Sequence, residues 1–234
     1  MTLNNLLFSL FPAIALFSHL FLFLALLTAR KNRVIYSFMG LLTAFILWTG
    51  GALFMRLQLF PGVLFWWKVS LTGIFLVPCG YYLLFSGYTG QKGYFLKLVW
   101  IVLTVIMIVA NLFDAFIYDP AVVGDGVRQA FHFKNRWTAV FPIVYAVCIL
   151  SSIWFMVRRA QKGEAVGATH FRPLALGVFL MAVGIIVNMI PSLSTLSTDS
   201  VGCALNAICI YYAFYKKRMY ALSQIASKGQ IGRA

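Results

Sequence analysis

The sequence predicts an all-α integral membrane protein: a seven-transmembrane-helix bundle with its N-terminus outside and its C-terminus in the cytoplasm. Three observations predict it. Of 234 residues, 62% are hydrophobic and only 10% charged, whereas soluble domains carry about 25% charge; the mean hydropathy is +0.90. Seven runs reach the ~17–25 apolar residues that cross a bilayer. The cations fall on alternate connections between those runs, which fixes orientation.

The runs cover residues 6–28, 34–55, 63–88, 95–113, 138–157, 173–190 and 198–215. The first follows Met-Thr-Leu-Asn-Asn, which lacks the positive region of a signal peptide, and it is too long for one. It is expected to remain as a membrane helix, with His19 at mid-span. There a neutral imidazole bonded to a backbone carbonyl is commoner than a ligand or a proton relay. The second run carries Gly50-Gly51, small residues that allow close helix contact. The third holds Lys68 near one end and Pro78-Cys79-Gly80 in its middle. Lysine in an apolar span costs ~2.5–3.5 kcal/mol at mid-membrane on insertion scales, so it snorkels, pairs or serves a ligand. A proline strands a carbonyl, which only a neighbour or water repairs.

The fourth run ends on Asn111 and Asp114. A long linker follows to Trp137, whose Asp119-Pro120 and Gly124-Asp125-Gly126 read as turns capping the bundle. The fifth contains Pro142 and Tyr145, the sixth Gly177, Ala182, Gly184 and Asn188 with Pro191 at its close. The seventh, the least apolar, opens on Asp199 and contains Asn206. Pro78, Pro142 and Pro191 are candidate hinges.

Arg30, Lys31 and Arg33 lie between spans one and two, Lys92 and Lys97 between three and four. Arg158, Arg159, Lys162 and Arg172 lie between five and six, and Lys216, Lys217, Arg218, Lys228 and Arg233 in the tail; Glu164 is the one acid among them. On the opposite side Arg56, Arg128, Lys134 and Arg136 balance Asp114, Asp119, Asp125 and Asp199. The net charge of +14 is therefore a topology signal and an attraction to anionic inner-leaflet lipid, and implies no nucleic-acid partner. Trp48, Trp66, Trp67 and Trp137 fall toward the outer interface and Trp100 and Trp154 toward the inner, as an aromatic belt does. Cys79, Cys148, Cys203 and Cys209 lie in apolar runs without a metal-ligand spacing, so free packed thiols are expected, with no metal and no cofactor.

At 1.5 Å rise per residue, Lys68, Asn111, Asp114, Tyr145, Asn188 and Asp199 come from five spans to one level, the outer third. Polar side chains in a membrane tend to face a bundle interior or wet cavity, so this layer reads as a ligand pocket, with Tyr145 and Trp137 as wall and lid. The plainer alternative is that each pairs locally: Lys68 with Asp114 or Asp199, the asparagines with backbone freed by Pro142 and Pro191. Tyr81, Tyr82 and Asn206 lie deeper, as a second polar cluster or as packing glue.

Trp67-Lys68, Pro78, Phe85 and Tyr88-Thr89-Gly90 resemble the third-helix signature of the N-terminal seven-helix region of bacterial membrane histidine kinases, found also on some diguanylate cyclases. Asn111, Phe171-Arg172, Asn188-Met189-Ile190-Pro191 and Asp199 match that family's pattern, and 217–226 resembles its basic exit segment. Asp114 departs from it, where a histidine is common, and so does Gln224, where a proline is. The resemblance implies a sensor region of a two-component signalling protein in the bacterial inner membrane. Residues 1–218 would form the seven-helix sensor domain and 219–234 a cytoplasmic exit helix, with the output domain absent and Lys217 and Arg218 at the exit.

The expected function is therefore a membrane-embedded sensor, with no catalytic residues of its own. It would bind a small-molecule or lipid-like ligand and pass a helix-packing change through span seven to a histidine kinase or other output module, in cis or trans; a homodimer is left open. The alternative is a small transporter or transporter subunit, although spans one to three and five to seven lack the self-similarity of transporter halves. A retinal photoreceptor is disfavoured, since residues 198–215 hold no lysine for a Schiff base. Hydrolytic motifs are absent.

Overall fold

The fold was taken from a computed structural model. It describes residues 3–29, 32–89, 94–113, 121–123, 126–128, 147, 154, 171–188 and 197–231, with side chains of the final helix described to Tyr215. The elements are α1 (Leu3–Leu27), α2 (Arg33–Arg56), α3 (Val63–Thr89), α4 (Tyr94–Leu112), β1 (Ala121–Val123), β2 (Gly126–Arg128), α5 (Phe171–Asn188) and α6 (Thr198–Ile231). Four helices are long and apolar enough to cross a membrane, Ser9–Leu27, Arg33–Arg56, Val63–Gly87 and Tyr94–Leu112, and Pro173–Asn188 is a shorter apolar helix. The chain is thus a multi-pass helical membrane protein. The expected fifth span lies outside the described residues except Val147 and Trp154, both helical and exposed.

The start of α2 and the break between α2 and α3 follow from the sequence. Asn32 caps α2 by accepting the Ile35 N–H at 2.9 Å, satisfying a donor with no partner inside the helix. Pro61 and Gly62, the latter at φ 141°, separate α2 from α3 because neither continues a helix readily. Pro78 does not break α3, which runs through it. The linker between spans four and five, read as turns, contains a short antiparallel hairpin, with Val122 opposite Val127 and β2 against α2.

Among the described helices α2 packs on α1, α3 and α6. Phe38, Leu41, Leu42, Phe45 and Trp48 of α2 meet Val77, Tyr81, Leu84 and Phe85 of α3, with Leu174 and Met181 of α5 and Cys203, Ala207 and Ile210 of α6 completing the core. Glycine sets how close α2 and α3 come. A methyl on Gly51 would lie 2.6 Å from the Ser70 amide nitrogen, and one on Gly73 would overlap the Trp48 backbone.

Lipid-facing surfaces read in the opposite sense to soluble helices. On α1, Leu10, Ile14, Phe17, Phe21 and Leu24 are exposed at three- and four-residue spacing, one face of a helix. On α4 the exposed surface is apolar, whereas the buried side chains are Trp100, Thr104 and Asn111. That inversion is what a bilayer solvent selects.

Candidate functional site

The polar residues at one end of the bundle are held by two different helix pairs. Lys68, one turn into α3, donates from Nζ to the Leu112 carbonyl of α4 at 3.3 Å. Asn111 of α4 returns the contact, donating from Nδ2 to the Lys68 carbonyl at 2.9 Å and to Thr72 Oγ1 at 3.3 Å. The third and fourth helices are thereby pinned by reciprocal bonds between a buried amide, a lysine and two backbone carbonyls.

The second set joins α2 to α6. Asp199, in the first turn of α6, interacts electrostatically with Arg56, the last residue of α2, and its carboxylate lies near the Trp48 side chain and the helix's own first amides. Arg56 and Asp199 are both more than nine-tenths buried. Such a pair is kept only if the Coulomb attraction and added hydrogen bonds offset desolvation. Near the start of α2 and midway along α6, Phe38 packs edge-on against Phe214, centroids 5.3 Å apart. α2 and the first half of α6 therefore run antiparallel, with the electrostatic contact near one end of α2 and the aromatic rings near its other end.

A third, deeper group crosses the bundle. His19 Nδ1 lies 3.4 Å from Thr49 Oγ1, its ring stacks on Phe45 at 5.2 Å, and it faces the Cys203 backbone. Phe45 packs edge-on against Tyr81 at 6.5 Å. The Tyr81 hydroxyl accepts from Asn206 Nδ2 and donates to Met181 Sδ at 3.5 Å. His19, Thr49, Tyr81 and Asn206 are almost fully buried. On α6, Asp199, Cys203 and Asn206 recur at the spacing of one helix face, so this face runs from the ion pair into the deeper group.

Of the residues expected in one layer, Lys68 and Asn111 come together. Asp199 stands at the same end of the bundle but with Arg56, not with Lys68. Asn188 is the last residue of α5, one turn beyond Gly184, whose carbonyl accepts from Thr198 Oγ1 at 2.9 Å. Asp114, Trp137, Tyr145, Pro142 and Pro191 lie outside the described residues, as do the side chains of Lys217 and Arg218. Sequence reasoning missed Arg56 and Trp48 as members of the site. The available signal was Arg56 closing span two at the level where Asp199 opens span seven. Cys79, Cys203 and Cys209 are free thiols, and among the described residues no group of histidine, cysteine and acidic side chains could hold a metal.

A family model described as the N-terminal 7TM region of histidine kinase matches residues 10–223. The chain belongs to that family. Comparison with curated proteins gives no match. As an N-terminal 7TM region of a histidine kinase, the chain is a membrane sensor region rather than a catalytic domain, and the family links it to a cytoplasmic histidine kinase output module. In this 7TM region the matched segment includes all three polar groups and ends within α6, at residue 223.

Proposed function

We propose that this 7TM region detects a small-molecule or lipid-like ligand at the outer end of a seven-span bundle and passes a helix-packing change inward through α6. In this reading the N-terminus is outside, the C-terminus is cytoplasmic and the membrane is the bacterial inner membrane. Lys68, Asn111, Asp114, Asn188 and Asp199 form the polar layer, with Trp137 and Tyr145 as wall and lid. Pro78, Pro142 and Pro191 allow helix packing to shift, and Lys217 and Arg218 mark the exit toward a kinase or other output module, in cis or trans. Residues 1–218 are the sensing unit and 219–234 the exit segment.

The observation that carries this reading is α6 itself. It is one helix from Thr198 to Ile231, 34 residues, about 50 Å at 1.5 Å per residue. Asp199 at its head is buried against Arg56, and its far half extends beyond Tyr215 into the basic tail. A ligand that favours one packing of this head over another by a few kcal/mol biases the whole helix, because only differential affinity shifts a two-state equilibrium.

The test is a chimera carrying a kinase output module behind residue 234, scored for autophosphorylation in membranes. Asp199→Asn is expected to lock output in one state while the protein still inserts, and Lys68→Ala to change the set-point less. Output unchanged by both substitutions contradicts the layer. Solute uptake by the chain alone in proteoliposomes would instead favour the transporter alternative.

A further inference from the structure

The two halves of the layer differ in whether their polar atoms are satisfied. Lys68 Nζ and Asn111 Nδ2 have carbonyl partners across α3 and α4. At the head of α6 the situation is reversed. Ser197 Oγ, Asp199 Oδ1 and Ser200 Oγ, together with Asn188 Oδ1 at the end of the neighbouring α5, are buried and make no hydrogen bond. Ser197 and Ser200 are fully buried as residues, and Asp199 is 8% exposed. Buried polar atoms are almost always hydrogen-bonded, more so where a bilayer offers no water. Three such atoms within one turn of the start of α6, with a fourth at the end of α5, point to something that binds there.

The kinds of atom define what it must be. A carboxylate oxygen and an amide oxygen can only accept, and serine hydroxyls can accept or donate. An acceptor-only ligand such as a carboxylate or phosphate would leave Asp199 and Asn188 unsatisfied. Arg56 already balances the charge of Asp199, so an ammonium would leave the buried site with a net positive charge.

We infer that the head of α6, rather than the Lys68–Asn111 contact, is the half of the layer that takes the ligand, and that the ligand is a neutral molecule presenting two or more hydroxyl or amide N–H donors. The inference rests on the sensor reading above and names the ligand chemistry of the same layer. Such donors reach the site either from water, as a short polyol, or from the bilayer, as the head of an amphiphile.

The test uses the full chain in lipid nanodiscs and reads the thermal unfolding midpoint with three probes: 1,2-propanediol in the aqueous phase, 1,2-decanediol in the bilayer, and decanoate as an acceptor-only amphiphile. A saturable rise with either diol and none with decanoate is expected; the responding diol tells the aqueous from the bilayer source. The combined Ser197→Ala and Ser200→Ala variant removes two unsatisfied hydroxyls without adding bulk, so it is expected to fold and to weaken the diol response at least tenfold. A saturable decanoate response that Asp199→Asn abolishes overturns the donor chemistry while leaving the layer as a ligand site. No response to any probe, or a diol response indifferent to the serine variant, overturns the site at the head of α6; the kinase chimera then still decides the sensor reading independently.

Discussion

Arg56 and Asp199 are both buried and attract each other electrostatically, so removing one is expected to be worse than removing both. Loss of one partner from a buried pair costs ~3–5 kcal/mol, whereas a well-packed apolar replacement of both is often near neutral. Arg56→Met alone is therefore expected to lower stability by about that amount, and Arg56→Met with Asp199→Leu to recover most of it, measured by unfolding in mixed micelles. An unchanged single variant contradicts a coupled pair. The deeper contacts are weaker individually. Tyr81→Phe deletes the hydroxyl that Asn206 donates to, and interhelical hydrogen bonds in membranes average ~0.6 kcal/mol with a maximum near 1.7; a loss in that range is expected from the same measurement. The residue level was only partly legible in the sequence. Depth along a helix gave the common level of Lys68, Asn111 and Asp199, since rise per residue is fixed. It did not give partners, because which helix a side chain faces depends on packing order. Arg56 was counted as a loop charge for the same reason: its neighbour across the bundle is 143 positions away in sequence.

At the scale of the element, the contact between α2 and α3 is set by two glycines whose missing side chains admit the opposing backbone. Over-packing costs ~1–3 kcal/mol where side chains can yield. Backbone cannot yield, so Gly73→Val is expected to cost at least the top of that range and to separate α2 from α3. Gly40→Ala is the control: no atom lies within 4 Å of an added methyl, and helix propensity favours alanine by about 0.5–1 kcal/mol. Equal effects of the two would contradict the close approach at Gly73. The helices themselves were legible, because apolar runs of bilayer length leave few alternatives: α2 and α3 match the expected spans to within a residue. The far end of α6 was legible through the family resemblance, which implies an exit helix there, and not through hydropathy. Hydropathy ends at Tyr215, but Lys216, Lys217, Arg218, Met219, Ala221, Leu222 and Gln224 are all strong helix formers, so helix continues where apolarity stops. Pro78, a candidate hinge, lies inside an unbroken α3, as neighbouring helices in a membrane bundle can accommodate the lost bond.

For the whole molecule, the arrangement is α2 with the first half of α6 antiparallel to it, fastened at Arg56 and Asp199 and again at Phe38 and Phe214. A change at one fastening has a rigid path to the other, since both lie on the same two helices. Helix shifts in switching proteins are of the order of 1–2 Å, small but measurable. The most direct measurement is the distance between spin labels at Ser37 on α2 and Ser223 on α6, read by pulsed electron resonance in nanodiscs for the native chain and for Arg56→Met. Release of the ion pair at one end is predicted to displace the distance distribution at the other by about 1–2 Å or more. Superimposable distributions, with the Arg56→Met protein folded, would contradict transmission through α6.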